Sequence, residues 1–178
     1  RFLNIAQLMI FSNNEEYDTD NRVPIQGAFY ASMSKGKMFF NTFREASPSY
    51  YETLPLTPMT NEREFEILKQ VNKTVLVSLP EYQTNKSPLT PTNRVISSVL
   101  AKERILYFLK YGFAYVERTI NNEDGESMTT LEKHVMRYPQ FFASKAICRN
   151  LDKQINSGTI WHTQGSGKTA LSYFAVKV

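Results

Sequence analysis

The chain has 178 residues, 42% of them hydrophobic and 13% aromatic, with 21 basic against 17 acidic side chains and a net charge of +4. This composition builds a core and excludes an intrinsically disordered chain, while the mild excess of base suits a polyanionic partner without requiring one. A single cysteine, Cys148, excludes an internal disulfide, and the longest apolar run, Ile105 to Val116, is broken by Lys110 and too short to cross a bilayer, so a cytoplasmic protein with no membrane part is expected.

In chain order, residues 3–11 read as a buried strand closed by Ser12-Asn13-Asn14. A polar stretch to Pro24 follows. GAFYASMS (27–34) and KMFFNTF (37–43) read as a hairpin turning at Lys35-Gly36. Pro48, Pro55 and Pro58 make 47–60 irregular. Asn61 to Val71 is predicted as a helix, with Asn61 and Glu64 at capping-box spacing and Phe65, Leu68 and Val71 on one side. Val75 to Val77 is a possible short strand.

SLPEYQTNKSPLTPTN (78–93), with three prolines among small polar residues, reads as a linker between domains. Beyond it, Val95 to Tyr111 is predicted as one helix stopped by Gly112. AYVERT (114–119) and LEKHVM (131–136) alternate as strands around a polar loop. Pro139 opens a further helix, with Phe142, Ala143, Ala146, Ile147, Leu151 and Ile155 as its apolar face and Gly158 as its end. Lys145, Arg149 and Lys153 on that helix read as a solvated face. A strand over Thr159–His162, a glycine-rich loop and a last helix complete the chain.

The loop carries the chemistry. Gly165 and Gly167 let backbone amides turn toward a polyphosphate with no Cβ in the way, and the helix that follows adds its positive end. Lys168 is expected to reach the β- and γ-phosphates, and Thr169 to place its hydroxyl on Mg²⁺. Thr163, Gln164 and Ser166 complete the strand-to-helix turn. The generic phosphate loop begins with a glycine where this chain has His162. The cofactors expected are ATP and Mg²⁺. No His or Cys cluster points to zinc, and Ser166 has no base at a spacing that would make it a nucleophile.

The longer string WHTQGSGKT (161–169) resembles motif I of the restriction subunit of type I restriction–modification enzymes, which joins a nuclease to a superfamily 2 helicase-like DNA translocase. MRYPQFFA (136–143) resembles that family's Arg-Tyr-x-Gln segment, and LAKERILYFLKYGFAYVE (100–117) resembles its lead into the motor. The resemblance is specific over about residues 93–178 and loose before them. It implies that Gln140 reads the adenine edge, whose donor and acceptor a primary amide matches, with Arg137 or Tyr138 near the base. It also implies double-stranded DNA and the modification and specificity subunits as partners.

The fold class that follows is α/β. A mixed α+β N-terminal part (1–77, the end of a restriction-endonuclease-like domain) would precede the linker (78–93). The start of a P-loop, RecA-like motor (94–178) would come next. The intact enzyme would be a type I site-specific deoxyribonuclease with ATP hydrolase activity. The chain contains neither an acidic-x-Lys nuclease triplet nor the carboxylates that complete the Mg²⁺ site. Together with its start at Arg1, this makes it read as a fragment, inactive alone. The Gln26 to Tyr30 stretch matches a Gln-x-x-x-Tyr nuclease-associated pattern by coincidence, because it follows the strand expected to belong to the nuclease. The alternative is another superfamily 2 motor or a P-loop nucleotide-binding protein without nuclease activity.

Overall fold

Two short antiparallel sheets carry the helices. The computed structural model describes residues 5–12, 28–34, 36–45, 47, 49–53, 59–88, 90–121 and 127–178. The polar stretch before Pro24, Gln26, Gly27, Lys35, the three prolines of 47–60 and most of the loop after Asn121 lie outside these residues. Strand β1 (Ile10–Ser12) pairs with β2 (Ala28–Ser34), and β2 with β3 (Lys37–Asn41). In the expected hairpin Ser34 faces Lys37, and Gly36 takes a φ of +71°, the left-handed backbone that glycine adopts at no steric cost. The second sheet is the hairpin of β4 (Phe113–Asn121) and β5 (Ser127–Val135); β4 extends past the predicted strand at both ends, while β5 starts earlier than predicted and stops one residue short, at Val135.

The sheets meet through side chains. Ser32 Oγ accepts from the Val135 N–H at 2.9 Å, the Tyr30 hydroxyl donates to the Met136 carbonyl at 3.0 Å, and Gly36 N–H donates to Glu132 Oε1 at 2.6 Å. Lys133 is wholly buried and donates to the carbonyls of Ala6 and Gln7. Burial disfavours its charged form and lowers its pKa.

Helix α1 (Tyr50–Thr53) is one turn. Helix α2 (Asn61–Gln70) forms where expected, but its cap is Thr60, whose hydroxyl accepts from Arg63 N–H at 3.3 Å. Of its predicted apolar side only Leu68 is buried, and Phe65 and Val71 are exposed. The strand expected at 75–77 is instead a 3₁₀ turn, Thr74–Ser78. No strand lies beside it among the described residues to pair its backbone.

The stretch 78–93 is more ordered than a linker composition implies. It holds α3 (Pro80–Asn85) and the start of α4 (Pro91–Leu100). Pro80 and Pro91 each sit at the start of a helix, where a missing N–H costs nothing. The helix predicted over 95–111 is two helices, α4 and α5 (Lys102–Tyr111), broken at Ala101, whose ψ is 130°. The break frees the Ser98 carbonyl, which accepts from the Arg104 guanidinium at 3.4 Å. Ser98 Oγ and Arg104 converge on Glu45, a buried carboxylate on the segment after β3.

Helix α6 (Tyr138–Asp152) opens at Pro139 as expected, but it stops before Gly158, because Gln154 turns left-handed at φ +62°. Its deeply buried side is Phe141 and Ser144. Of the predicted apolar face, Phe142 and Ile147 are half-buried, while Leu151 and Ile155 are exposed. Lys145 lies over the rings of Tyr107 and Phe141, whereas Arg149 and Lys153 are exposed. Helix α7 (Lys168–Lys177) closes the chain, anchored by Leu171 and Phe174.

One core cluster joins Ala28, Tyr30 and Phe43 to Val95, Val99, Phe108, Phe141 and Phe174. At its centre the rings of Phe108 and Phe141 stack at 5.0 Å, and Phe43 packs edge-on to both. The described fold is a mixed α/β arrangement. The stretch Thr159–His162, expected as a strand, forms no strand, and Ile160 and Trp161 are exposed. No parallel strand lies beside it among the described residues, and a strand is defined by a neighbour.

Candidate nucleotide site

The site is built where α6 begins and α7 begins. Both helices present N-terminal amides that have no intrahelical acceptor. Between residues 163 and 168 the backbone makes a tight loop. Ser166 N–H donates to the Thr163 carbonyl at 3.3 Å, Gly165 has φ +74° and Gly167 has φ +83°. Left-handed glycines at a tight turn that leads into a helix are a backbone form in which successive amides can cradle an anion, a nest. Gly167 is also the N-cap of α7 and has no side chain to compete with a ligand for those amides.

Lys168 folds back over the loop and donates from Nζ to the carbonyls of Thr163 at 3.0 Å and His162 at 3.3 Å. Ser166 Oγ is buried and has no hydrogen-bond partner among the described residues, and neither has His162 Nδ1. A buried hydroxyl without a partner is costly, and an oxygen-rich ligand in the nest would supply one. The residues therefore fit a polyphosphate.

Thr169 is exposed at the first turn of α7 and is free to offer its hydroxyl to a cation. No three His, Cys, Asp or Glu side chains come together among the described residues. A Mg²⁺ here would lean on Thr169, the nucleotide's phosphates and water.

Gln140, which the resemblance assigns to the adenine edge, sits against the loop with its amide engaged at both ends. Its Oε1 accepts from the Arg137 N–H at 2.9 Å, and its Nε2 donates to the Gly167 carbonyl at 3.0 Å. The residue is 4% exposed. In this arrangement it is a strut between α6 and the loop, with no free edge for a base. Arg137 reaches the Gly165 carbonyl with Nη2 at 3.5 Å, and no carboxylate pairs with it among the described residues.

Thr163 and Gln164 lie on the exposed outer rim. There they face a cleft of about 380 Å³, whose other walls are Arg137, Tyr138 and Pro139 on one side and Phe40, Asn41 and Thr42 on the other. The last three stand at and just beyond the end of β3. Sequence reasoning does not connect them to the loop, since no local pattern marks residues so far upstream.

Left-handed glycines at a helix start, a lysine over them and a glutamine strut beside them make a loop whose chemistry fits a bound polyphosphate. Accordingly, residues 139–178 match the SWI2/SNF2 ATPase family, a stretch that runs from Pro139 through the loop to the last residue of α7 and beyond. Over 85 residues the chain is also 32% identical to the type I restriction enzyme MjaVIIP endonuclease subunit of Methanocaldococcus jannaschii, covering 45% of this chain. The resemblance to restriction subunits that the motifs carry is thus borne out. The chain spans 7% of the length of that relative. No solved structure matches the chain.

Proposed function

We propose that this chain forms the nucleotide-gripping part of a DNA-translocating ATPase within the restriction subunit of a type I restriction enzyme. The observation that carries the reading is the nest itself: Gly165 and Gly167 left-handed around Ser166, whose hydroxyl has no hydrogen-bond partner among the described residues, with Lys168 folded over the loop. Lys168 would leave its two carbonyls for the β- and γ-phosphates of ATP, and Thr169 would hold Mg²⁺. Together they position the transferable phosphoryl group and spread its charge. The carboxylates that activate water, and the nuclease triplet, would lie outside these 178 residues, so this stretch alone binds without cutting or hydrolysing. Adenine contact by Gln140 enters the proposal with a condition: Nε2 must first release the Gly167 carbonyl.

Residues 1–77 would be the end of the nuclease domain and 94–178 the start of the motor, sharing the core described above. In the intact enzyme, ATP turnover would drive double-stranded DNA past a complex with the modification and specificity subunits, and cleavage would follow. The SWI2/SNF2 match favours a motor over a small-molecule kinase. The test is Lys168→Ala in the intact subunit. DNA-stimulated ATP hydrolysis should fall by at least 100-fold, on the order expected when a preorganised charge contact is removed. Unchanged hydrolysis would sink the assignment of this loop to the motor.

A further inference from the structure

We infer that the nucleoside end of the bound nucleotide is read by the N-terminal sheet, with Asn41 meeting the edge of the base and Phe40 offering it a ring. This inference rests on the nucleotide reading above and, with Gln140 engaged by Arg137 and Gly167, gives the base contact in its place to a wall of the site that no motif marks.

Three observations carry it. The amide expected to meet the base, that of Gln140, is buried and bonded at both ends. The cleft that opens directly from Gly165 and Ser166 is closed on its far side by Phe40, Asn41 and Thr42. And Arg137, a cation with no carboxylate partner among the described residues, lines that cleft beside the loop and reaches the Gly165 carbonyl. A nucleoside triphosphate held by its phosphates in the nest must direct its sugar and base out of it. The cleft beside Arg137 supplies what a base recognises. Asn41 carries a primary amide, donor on one side and acceptor on the other. Phe40 is 56% exposed even with the Phe11 ring edge-on to it at 5.4 Å, and a base stacks on any available aromatic face.

Backbone pairing fixes this wall. Asn41 sits opposite Tyr30 in the β2–β3 register, and two residues on, Phe43 is buried against Phe108 and Phe141. Core packing therefore holds the recognition residues in place. Nucleotide occupancy becomes a property that the N-terminal sheet senses directly, without relay through the motor's helices.

The experiment is calorimetric binding of ATP and of inorganic tripolyphosphate to the 178-residue chain, with Asn41→Ala, Phe40→Ala, Gln140→Ala and Lys168→Ala. Urea midpoints confirm that each variant folds. Wild type should bind ATP more tightly than tripolyphosphate. Asn41→Ala and Phe40→Ala should each weaken ATP about 10-fold, the loss that one stacked or hydrogen-bonded base contact brings, and leave tripolyphosphate unchanged. Lys168→Ala should weaken both.

The inference is overturned if the Asn41 and Phe40 variants bind ATP like wild type, or weaken both ligands in parallel. It also falls if Gln140→Ala alone produces the ATP-selective loss. Equal affinity of wild type for ATP and tripolyphosphate would remove the base site and leave the phosphate loop standing. Binding of neither ligand would remove the nucleotide reading itself.

Discussion

Gly167 is held in two ways at once, and Gly167→Ala separates them. Its backbone sits at φ +83° and ψ 42°. A Cβ there would lie 2.5 Å from Gln140 Nε2, the atom that donates to Gly167's own carbonyl. Left-handed backbone costs an alanine about 1–2 kcal/mol. Pushing the amide aside forfeits one hydrogen bond of about 1 kcal/mol. A stiffer unfolded chain returns about 0.4–1 kcal/mol, so the net loss is about 2 kcal/mol. Gly165→Ala is the control: its φ is +74°, but a Cβ meets nothing within 4 Å, so only the strain remains and the net cost is about 1 kcal/mol or less. Urea unfolding of both variants, alone and combined with Gln140→Ala, closes a double-mutant cycle. Without the glutamine, Gly167→Ala should cost no more than Gly165→Ala, a coupling of about 1 kcal/mol. Equal costs for the two glycines in the wild-type background, or additivity within about 0.3 kcal/mol, would refute the packing of Gln140 on Gly167.

The buried pair of Arg104 and Glu45, side chains 9% and 4% exposed, offers a second test. Arg104 Nη2 lies 2.8 Å from Glu45 Oε1, and the guanidinium covers the Tyr50 ring at 3.6 Å. Arg104→Ala strands the carboxylate and should lower unfolding stability by about 3–5 kcal/mol; a loss under 1 kcal/mol by urea titration would refute a dry, paired site. Arg104→Lys should recover only part of it, since an ammonium cannot form the fork. Burial raises the Tyr30 phenol above its usual range. Its stabilising effect is therefore complete below the unfolded pKa of about 10 and is lost as pH rises beyond it, when the unfolded phenol ionises first. Tyr30→Phe should flatten the fall of stability above pH 10, and an unchanged slope in pH-dependent unfolding would contradict the burial. Glu64 runs the other way: hydrogen bonds from Lys86 and Tyr82 lower its pKa, so Lys86→Ala should weaken stability at neutral pH and make no difference once acid has protonated Glu64.

Much of the site was legible because its rules are local. Gly165 and Gly167 take the left-handed backbone that glycine permits, and Lys168 and Thr169 follow at a helix start. Pro139 opens α6 because its missing N–H falls where none is needed. The hairpins at Gly36 and over 113–135 follow from period-two alternation. Each rule acts within a few residues, so the sequence alone determined these features.

Direction and partnership were decided by the tertiary structure. Periodicity put Phe142 and Ile147 on the inner face of α6; Phe142 does pack on Phe43, but Phe141 and Ser144 are the fully buried positions, with Phe141 stacked on Phe108. The helix over 95–111 breaks at Ala101 so that two helices can close on Glu45. Val75–Val77 and Thr159–His162 have strand composition but no neighbour to pair with among the described residues. The bonds that occupy the Gln140 amide and the wall of Phe40, Asn41 and Thr42 depend on segments far apart in the chain. A residue's own type and its near neighbours fix φ, caps and turns; which surface it meets is set by where the rest of the chain packs.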